Sequence, residues 1–219
     1  FLMEYRDAFC NRKEIEADIL AETNNWMIKL GLGIATPGHV MAIPKLHFDC
    51  LADVSNELLD EYDRIIHPAL QYYITTQFSE PFGVEYGIFG QTVKHAHVHY
   101  IPLQGEGYSI QSMVGEAMSE GVPIIECDRK KIRDIRKKAG RYNLLIENGQ
   151  YFICPVPLNI TLEKAEVIER IINYRKFLKT KGGKVPLSWA DQTPEETERD
   201  NVWREITREK MQGLKRLLA

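Results

Sequence analysis

Apolar positions change their period along this 219-residue chain, and each change marks an element. Residues Ile19–Glu22 and Trp26–Leu30 are short apolar runs that predict two early strands. Thr36-Pro37-Gly38 reads as a turn, and 39–44 predicts the next strand. From 53 to 77 the spacing becomes helical, with Val54, Leu58, Tyr62, Ile65, Ile66, Leu70 and Tyr73 recurring. Pro68 lies inside that run and should kink it or cost a hydrogen bond. Two further strand-like runs, 82–89 and 95–102, close the first half. In the second half 122–127 predicts a strand, and Asp128 caps a helix over 129–138 that ends near Gly140. Tyr142–Glu147 and 150–154 flank Asn148-Gly149, a strong hairpin signal. Residues 161–179 are helical up to Gly182-Gly183. Thr193-Pro194-Glu195-Glu196 joins a capping box to an N1 proline and opens a C-terminal helix. Its apolar positions (Val202, Ile206, Met211, Leu214, Leu217 and Leu218) suit packing on the rest of the chain or on a second subunit. Strands around a helix without strict βαβ alternation predict an α+β fold.

Composition narrows the class. A hydrophobic share of 44% and a charged share of 27% allow a real core. No apolar run approaches the roughly 18 residues of a membrane span, so no membrane partner is expected. The opening residues Phe1-Leu2-Met3-Glu4-Tyr5 lack the features of a secretory signal, and the start at Phe1 leaves an upstream N-terminus open. Cys10, Cys50, Cys127 and Cys154 are scattered, which predicts reduced thiols of a cytoplasmic protein, with the nucleus left open. Charge is divided unevenly. Residues 1–110 hold seven Lys/Arg against fifteen Asp/Glu, and 111–219 hold twenty-one against sixteen. The basic runs 129–138 and 175–181 read as solvated helix faces or as a surface for nucleic acid.

All six histidines precede residue 100. Three of them stand in Gly90-Gln91-Thr92-Val93-Lys94-His95-Ala96-His97-Val98-His99. On a strand, alternate residues share a face, so His95, His97 and His99 would line up about 6.6 Å apart. Buried imidazoles each need hydrogen-bond partners, which makes a purely structural role expensive. An H-x-H pair can present nitrogen ligands to a catalytic metal. Alternatively, a neutral imidazole can attack phosphorus and form a covalent phosphoramidate that water later cleaves.

This stretch resembles the signature of the histidine-triad (HIT) superfamily, and most closely its fragile-histidine-triad, dinucleoside polyphosphate hydrolase branch. Thr36-Pro37-Gly38-His39-Val40-Met41-Ala42-Ile43-Pro44-Lys45-Leu46-His47 resembles the family's upstream block. The resemblance covers about residues 8–108. It implies a HIT domain over 1–110, an antiparallel sheet with a flanking helix. Beyond it, the charge and periodicity of 111–219 predict a basic, mixed α/β extension that ends in a long helix. The resemblance further implies that His97 is the nucleophile, that His95, His99 and Thr92 assist, and that His39, Gln91 and Gly90 bind substrate. His99 stands where relatives with transferase activity carry glutamine, which favours hydrolysis. The implied substrate is a nucleotide or dinucleoside polyphosphate, the implied assembly a homodimer, and no cofactor is implied. A nucleotide-sensing module and an enzyme acting on adenylated or capped nucleic-acid ends are the alternatives. Some HIT domains carry a C-x-x-C near the start; here Asp7-Ala8-Phe9-Cys10 keeps only the last cysteine, and no zinc is expected. The family's ribose-binding Asp or Asn falls on Gly31, which offers no side-chain acceptor.

Overall fold

The structure is a computed structural model that describes residues 7–103, 109–176 and 192–218. Eight strands form one sheet in which every neighbouring pair is antiparallel. The first half supplies β1 (Ile19–Glu22), β2 (Trp26–Leu30), β3 (Val40–Pro44), β4 (Pro81–Glu85) and β5 (Val98–Pro102). The second supplies β6 (Ile125–Cys127), β7 (Tyr142–Glu147) and β8 (Gln150–Pro155). Their spatial order is β1-β2-β3-β5-β4-β7-β8-β6, so the edge that β4 would otherwise expose is taken by β7. Val84 stands opposite Leu145 in that joint. This is the α+β antiparallel sheet with flanking helices expected from the sequence, carried on without a break into the second half.

Helices cover both faces. The short α1 (Arg12–Ile15) precedes β1, and α2 (Asn56–Glu61) and α3 (His67–Gln77) join β3 to β4. The second half adds α4 (Ile110–Ser119), α5 (Arg129–Ala139), α6 (Leu162–Ile172), α7 (Pro194–Lys210) and α8 (Leu214–Leu217). One face packs Ile28, Val40, Val98, Tyr100 and Leu144 against side chains from α2, α3, α5 and α8. The other packs Phe82, Val84, Ile101 and Leu145 against Ile110 and Met113 of α4 and Ile168 and Ile171 of α6. With both faces covered, every residue of β2, β3 and β4 is buried, so these strands read as apolar runs rather than alternating ones.

Several local signals act as expected. Asp128 accepts from Lys131 N at 2.7 Å and starts α5. Asn148 and Gly149 take positive φ of 50° and 75°, the geometry of a tight hairpin between β7 and β8. Thr193 and Glu196 close a reciprocal capping box at the start of α7. The helical run continues to Gln77 but is distorted ahead of Pro68: Tyr62–Ile66 form a π-turn, and Pro68 follows as the second residue of α3.

Other boundaries are corrected. The 82–89 strand ends at Glu85, because Gly87, Ile88 and Gly90 all take positive φ. The 122–127 strand keeps only Ile125–Cys127. The helix expected over 161–179 is regular only to Ile172, and residues from 177 to 179 lie outside the described residues. The most consequential change is in 95–102, where β5 begins at Val98. His95 and His97 precede the strand, so the three histidines do not share one strand face.

Part of the uneven charge is used in ties between the two halves. Arg129 of α5 pairs with Asp60 at 2.6 Å and with Asp63, and Arg136 pairs with Asp53 at 3.3 Å. From α7, Arg204 and Arg208 each reach Asp18 at 3.1 Å. Among the described residues, no helix is long and apolar enough to cross a membrane.

Arg204 is the strongest of these ties. Its guanidinium also donates to Gly31 O and Leu32 O, each at 2.8 Å, and pairs with Asp200 at 2.6 Å. Asp200 in turn accepts from Ile34 N at 2.5 Å, and Thr207 Oγ1 accepts from Gly38 N at 2.9 Å. The loop between β2 and β3 is therefore held by α7. Replacing Arg204 with Ala leaves Asp200 and two carbonyls without that partner and should cost about 3 kcal/mol, read from the urea midpoint. An unchanged midpoint would show that the loop stands without the Arg204 tie.

Candidate active site

The sheet brings distant residues together where the β2–β3 loop meets the start of β5. His99, the second residue of β5, lies opposite Met41 of β3. His39 stands immediately before β3, and His97 immediately before β5. The three rings form a close group: centroids are 4.9 Å apart for His97–His99 and 5.2 Å for His39–His99. They open on a cavity of about 220 Å³, which Gly90 and Thr92 also line.

Hydrogen bonds assign the tautomers. Ala35 N donates to His39 Nδ1 at 3.1 Å, so the His39 proton is on Nε2. That Nε2–H donates to His99 Nδ1 at 2.9 Å, which places the His99 proton on its own Nε2. His97 Nδ1 lies 2.6 Å from His95 O and must donate to it, leaving the lone pair on Nε2. The group thus combines one nucleophilic nitrogen with one N–H donor.

Burial keeps all three rings neutral. It is the main cause that lowers the His97 pKa to about 4, against 6.5 for an ordinary histidine. His39 and His99 are also held well below that value, by burial first, and Arg175 is the leading charge acting on His39.

The remaining expected residues fall elsewhere. His95 does not line the cavity; its Nε2 donates to Pro44 O at 2.8 Å. Phe9 packs edge-on against both His95 and His97. Gln91 also lies outside the cavity wall, and its amide donates to Asp49 O at 3.1 Å. Conversely, Tyr86, Asn173, Tyr174 and Arg175 line the cavity and were not anticipated. Arg175 had been counted in a solvated basic run, because nothing in its neighbours shows that the chain returns to the first half there.

His95 belongs to a second cluster. Asp7, Cys10, His47 and His95 each offer a donor atom, all within 4.8 Å of one another. Cys10 Sγ lies 3.8 Å from both His47 Nδ1 and His95 Nδ1. Asp7 Oδ2 lies 2.6 Å from His47 Nδ1 and 3.0 Å from His95 Nδ1. A tetrahedral metal with bonds of about 2.0–2.3 Å has donor–donor edges of roughly 3.3–3.8 Å, close to this spread. Pro44 O fixes the His95 tautomer that leaves Nδ1 free to ligate. The expectation of no zinc rested on the single cysteine; folding supplies a carboxylate and two imidazoles beside it, so this donor set does fit a metal.

The HIT domain profile matches residues 12–106. "Protein hit" of Bacillus subtilis (strain 168) is 32% identical over 108 residues, covering 45% of this chain and 72% of that protein. The chain belongs to the HIT family. Among solved structures, it is similar to a hypothetical histidine triad nucleotide-binding protein of Sulfolobus tokodaii strain7 at 18% identity and a TM-score of 0.44, covering 95% of this chain and 93% of that one. It is also similar to a histidine triad protein of Clostridium difficile at 26% identity and a TM-score of 0.39, covering 49% of this chain and 99% of that one. Membership of the HIT family points to nucleotide binding or nucleotide processing.

Neutral burial has a consequence for stability. Between pH 6.5 and about 4 the unfolded chain protonates His97 while the folded chain does not, so acidification favours unfolding. From pH 7.5 to pH 5 this HIT protein should lose about 2 kcal/mol through His97 alone. Urea titrations of wild type and His97→Gln across that range test it: the variant should show a shallower decline, and equal slopes would contradict a neutral, buried His97.

Proposed function

We propose that this HIT protein is a nucleotide hydrolase that works through a covalent intermediate on His97, with the dinucleoside polyphosphate hydrolases as its nearest branch. The observation that carries the reading is the His97 tautomer: Nδ1–H is tied to His95 O, and Nε2 keeps its lone pair beside the cavity. In the first step His97 Nε2 bonds to phosphorus as the phosphorus–oxygen or phosphorus–nitrogen bond to the leaving group breaks. The imidazole is then positive, and His95 O stabilises the Nδ1–H. The leaving group takes a proton from water, with the Thr92 hydroxyl near it, while His99 Nε2–H donates to a phosphate oxygen. Water then attacks phosphorus, the phosphorus–nitrogen bond breaks, and the proton released passes to solvent. His39 holds His99 in the donating tautomer, and the backbone at Gly90 borders the phosphate. The positions of His95 and Gln91 outside the cavity support indirect roles for both.

The 1–110 and 111–219 division is retained as catalytic core and extension, and a homodimer belongs to the same reading. Action on nucleic-acid ends is less well supported, since Arg129 and Arg136 are engaged with the first half's carboxylates.

Brief exposure to adenosine and guanosine polyphosphates, adenylated oligonucleotides and phosphoramidates, followed by intact mass spectrometry, tests the chemistry. Wild type should gain a nucleotidyl mass that His97→Ala does not. Tight nucleotide binding with neither adduct nor product would make the chain a sensor instead.

We also infer that Asp7, Cys10, His47 and His95 hold one divalent metal, with zinc favoured by a set of one thiolate, two imidazoles and one carboxylate. The metal would supply structural cross-linking, tying the N-terminal segment to the residue whose carbonyl orients His97. Elemental analysis of protein purified without chelator should find about one zinc per chain, and Cys10→Ser with His47→Ala should lose it. Metal-free wild type that also fails to bind added zinc would overturn the assignment.

A further inference from the structure

Among the described residues, the cavity wall carries one formal charge and no carboxylate. The charge is Arg175, which follows α6 in the second half. Its guanidinium Nη2 donates to Gly33 O, so it reaches the cavity across the β2–β3 loop. Its field is the leading charge acting on the buried His39.

Gly31 shows why an outside residue is needed here. A Cβ at that position would stand 2.9 Å from His39 Cε1 and 3.1 Å from Gly33 O. The close approach of His39 excludes a carboxylate side chain at 31, and with it a side-chain grip on a sugar from that position. What the cavity offers instead is positive charge. Among the described lining residues Arg175 is the one formally charged side chain, so an anion entering the cavity would meet a counter-charge there. A buried anion without such a partner carries a large desolvation cost, and the guanidinium fork matches phosphate oxygens.

We propose that Arg175 binds the phosphate on which His97 acts, so that the site selects its ligand by the phosphate more than by the sugar. The proposal rests on the nucleotide reading above and makes the second half a direct contributor to the site. Arg175 can hold Gly33 O and a phosphate oxygen together, which links ligand binding to the loop that α7 anchors.

Calorimetric titration of the full chain with AMP, inorganic phosphate and adenosine provides the test. Arg175→Ala should weaken AMP by about 10- to 100-fold and abolish measurable phosphate binding, with adenosine unchanged. Arg175→Lys should recover part of the AMP affinity. Equal losses for AMP and adenosine would mean that Arg175 only latches Gly33, and unchanged AMP binding would remove it from the site; either overturns the proposal. Should both variants unfold, wild type decides alone: adenosine binding as tight as AMP overturns the proposal, and AMP preferred with salt-sensitive affinity supports it. The two readings separate cleanly. A wild type that forms the His97 adduct yet binds AMP and adenosine alike loses Arg175 and keeps His97. One that binds AMP through Arg175 without forming an adduct does the reverse.

Discussion

Pairing of β4 with β7 is the interaction on which the rest depends. Without it β4 would be an open edge, with its backbone donors and acceptors turned to water. With it, one sheet spans both halves of the sequence, and the helices of the second half can cover faces that the first half leaves bare. The same pairing brings α6 and the segment after it over β5, where His99 and Ile101 lie. From the other side, α7 clamps the β2–β3 loop through Arg204, Asp200 and Thr207. These two contacts border the cavity that the three imidazoles line.

Dehydration then sets the chemistry. A neutral imidazole is a nucleophile and an imidazolium is not, so burial favours the reactive state across the physiological range. The six histidines divide into three kinds of work. His39, His97 and His99 face the cavity. His47 and His95 meet Asp7 and Cys10. His67, on the opposite face, bonds Tyr100 Oη at 2.7 Å, and Tyr100 in turn meets Tyr62 Oη at 2.7 Å. These assignments depend on what surrounds each ring, since the side chain is the same in every case.

Elements fixed by local chemistry were legible in the sequence. Asp128, Asn148-Gly149 and the Thr193–Glu196 box act within a few residues of themselves, and the structure uses each as read. The helix α4 was not read, although Ser109 caps it and Ile110, Met113 and Ala117 recur at helical spacing. The start of β5 was misplaced because alternation of His95, His97 and His99 imitates a strand. In the fold, His95 is drawn away towards Pro44 O and Asp7, and His97 towards the carbonyl of His95, so neither keeps the extended register.

By itself the sequence determined the family, the α+β class, the histidine-rich segment and the second histidine block before β3. Those are properties of residue order, and short-range hydrogen bonding or side-chain spacing carries them. Tertiary structure alone decided which histidines share a cavity and which tautomer each adopts. It also brought Asp7 and Cys10 to His95, and it placed Arg175 beside His39 across more than a hundred residues. The physical reason is range. Caps, turns and strand runs are decided between neighbours, whereas desolvation and charge compensation depend on every segment that packs around a group, however far away in the chain it begins.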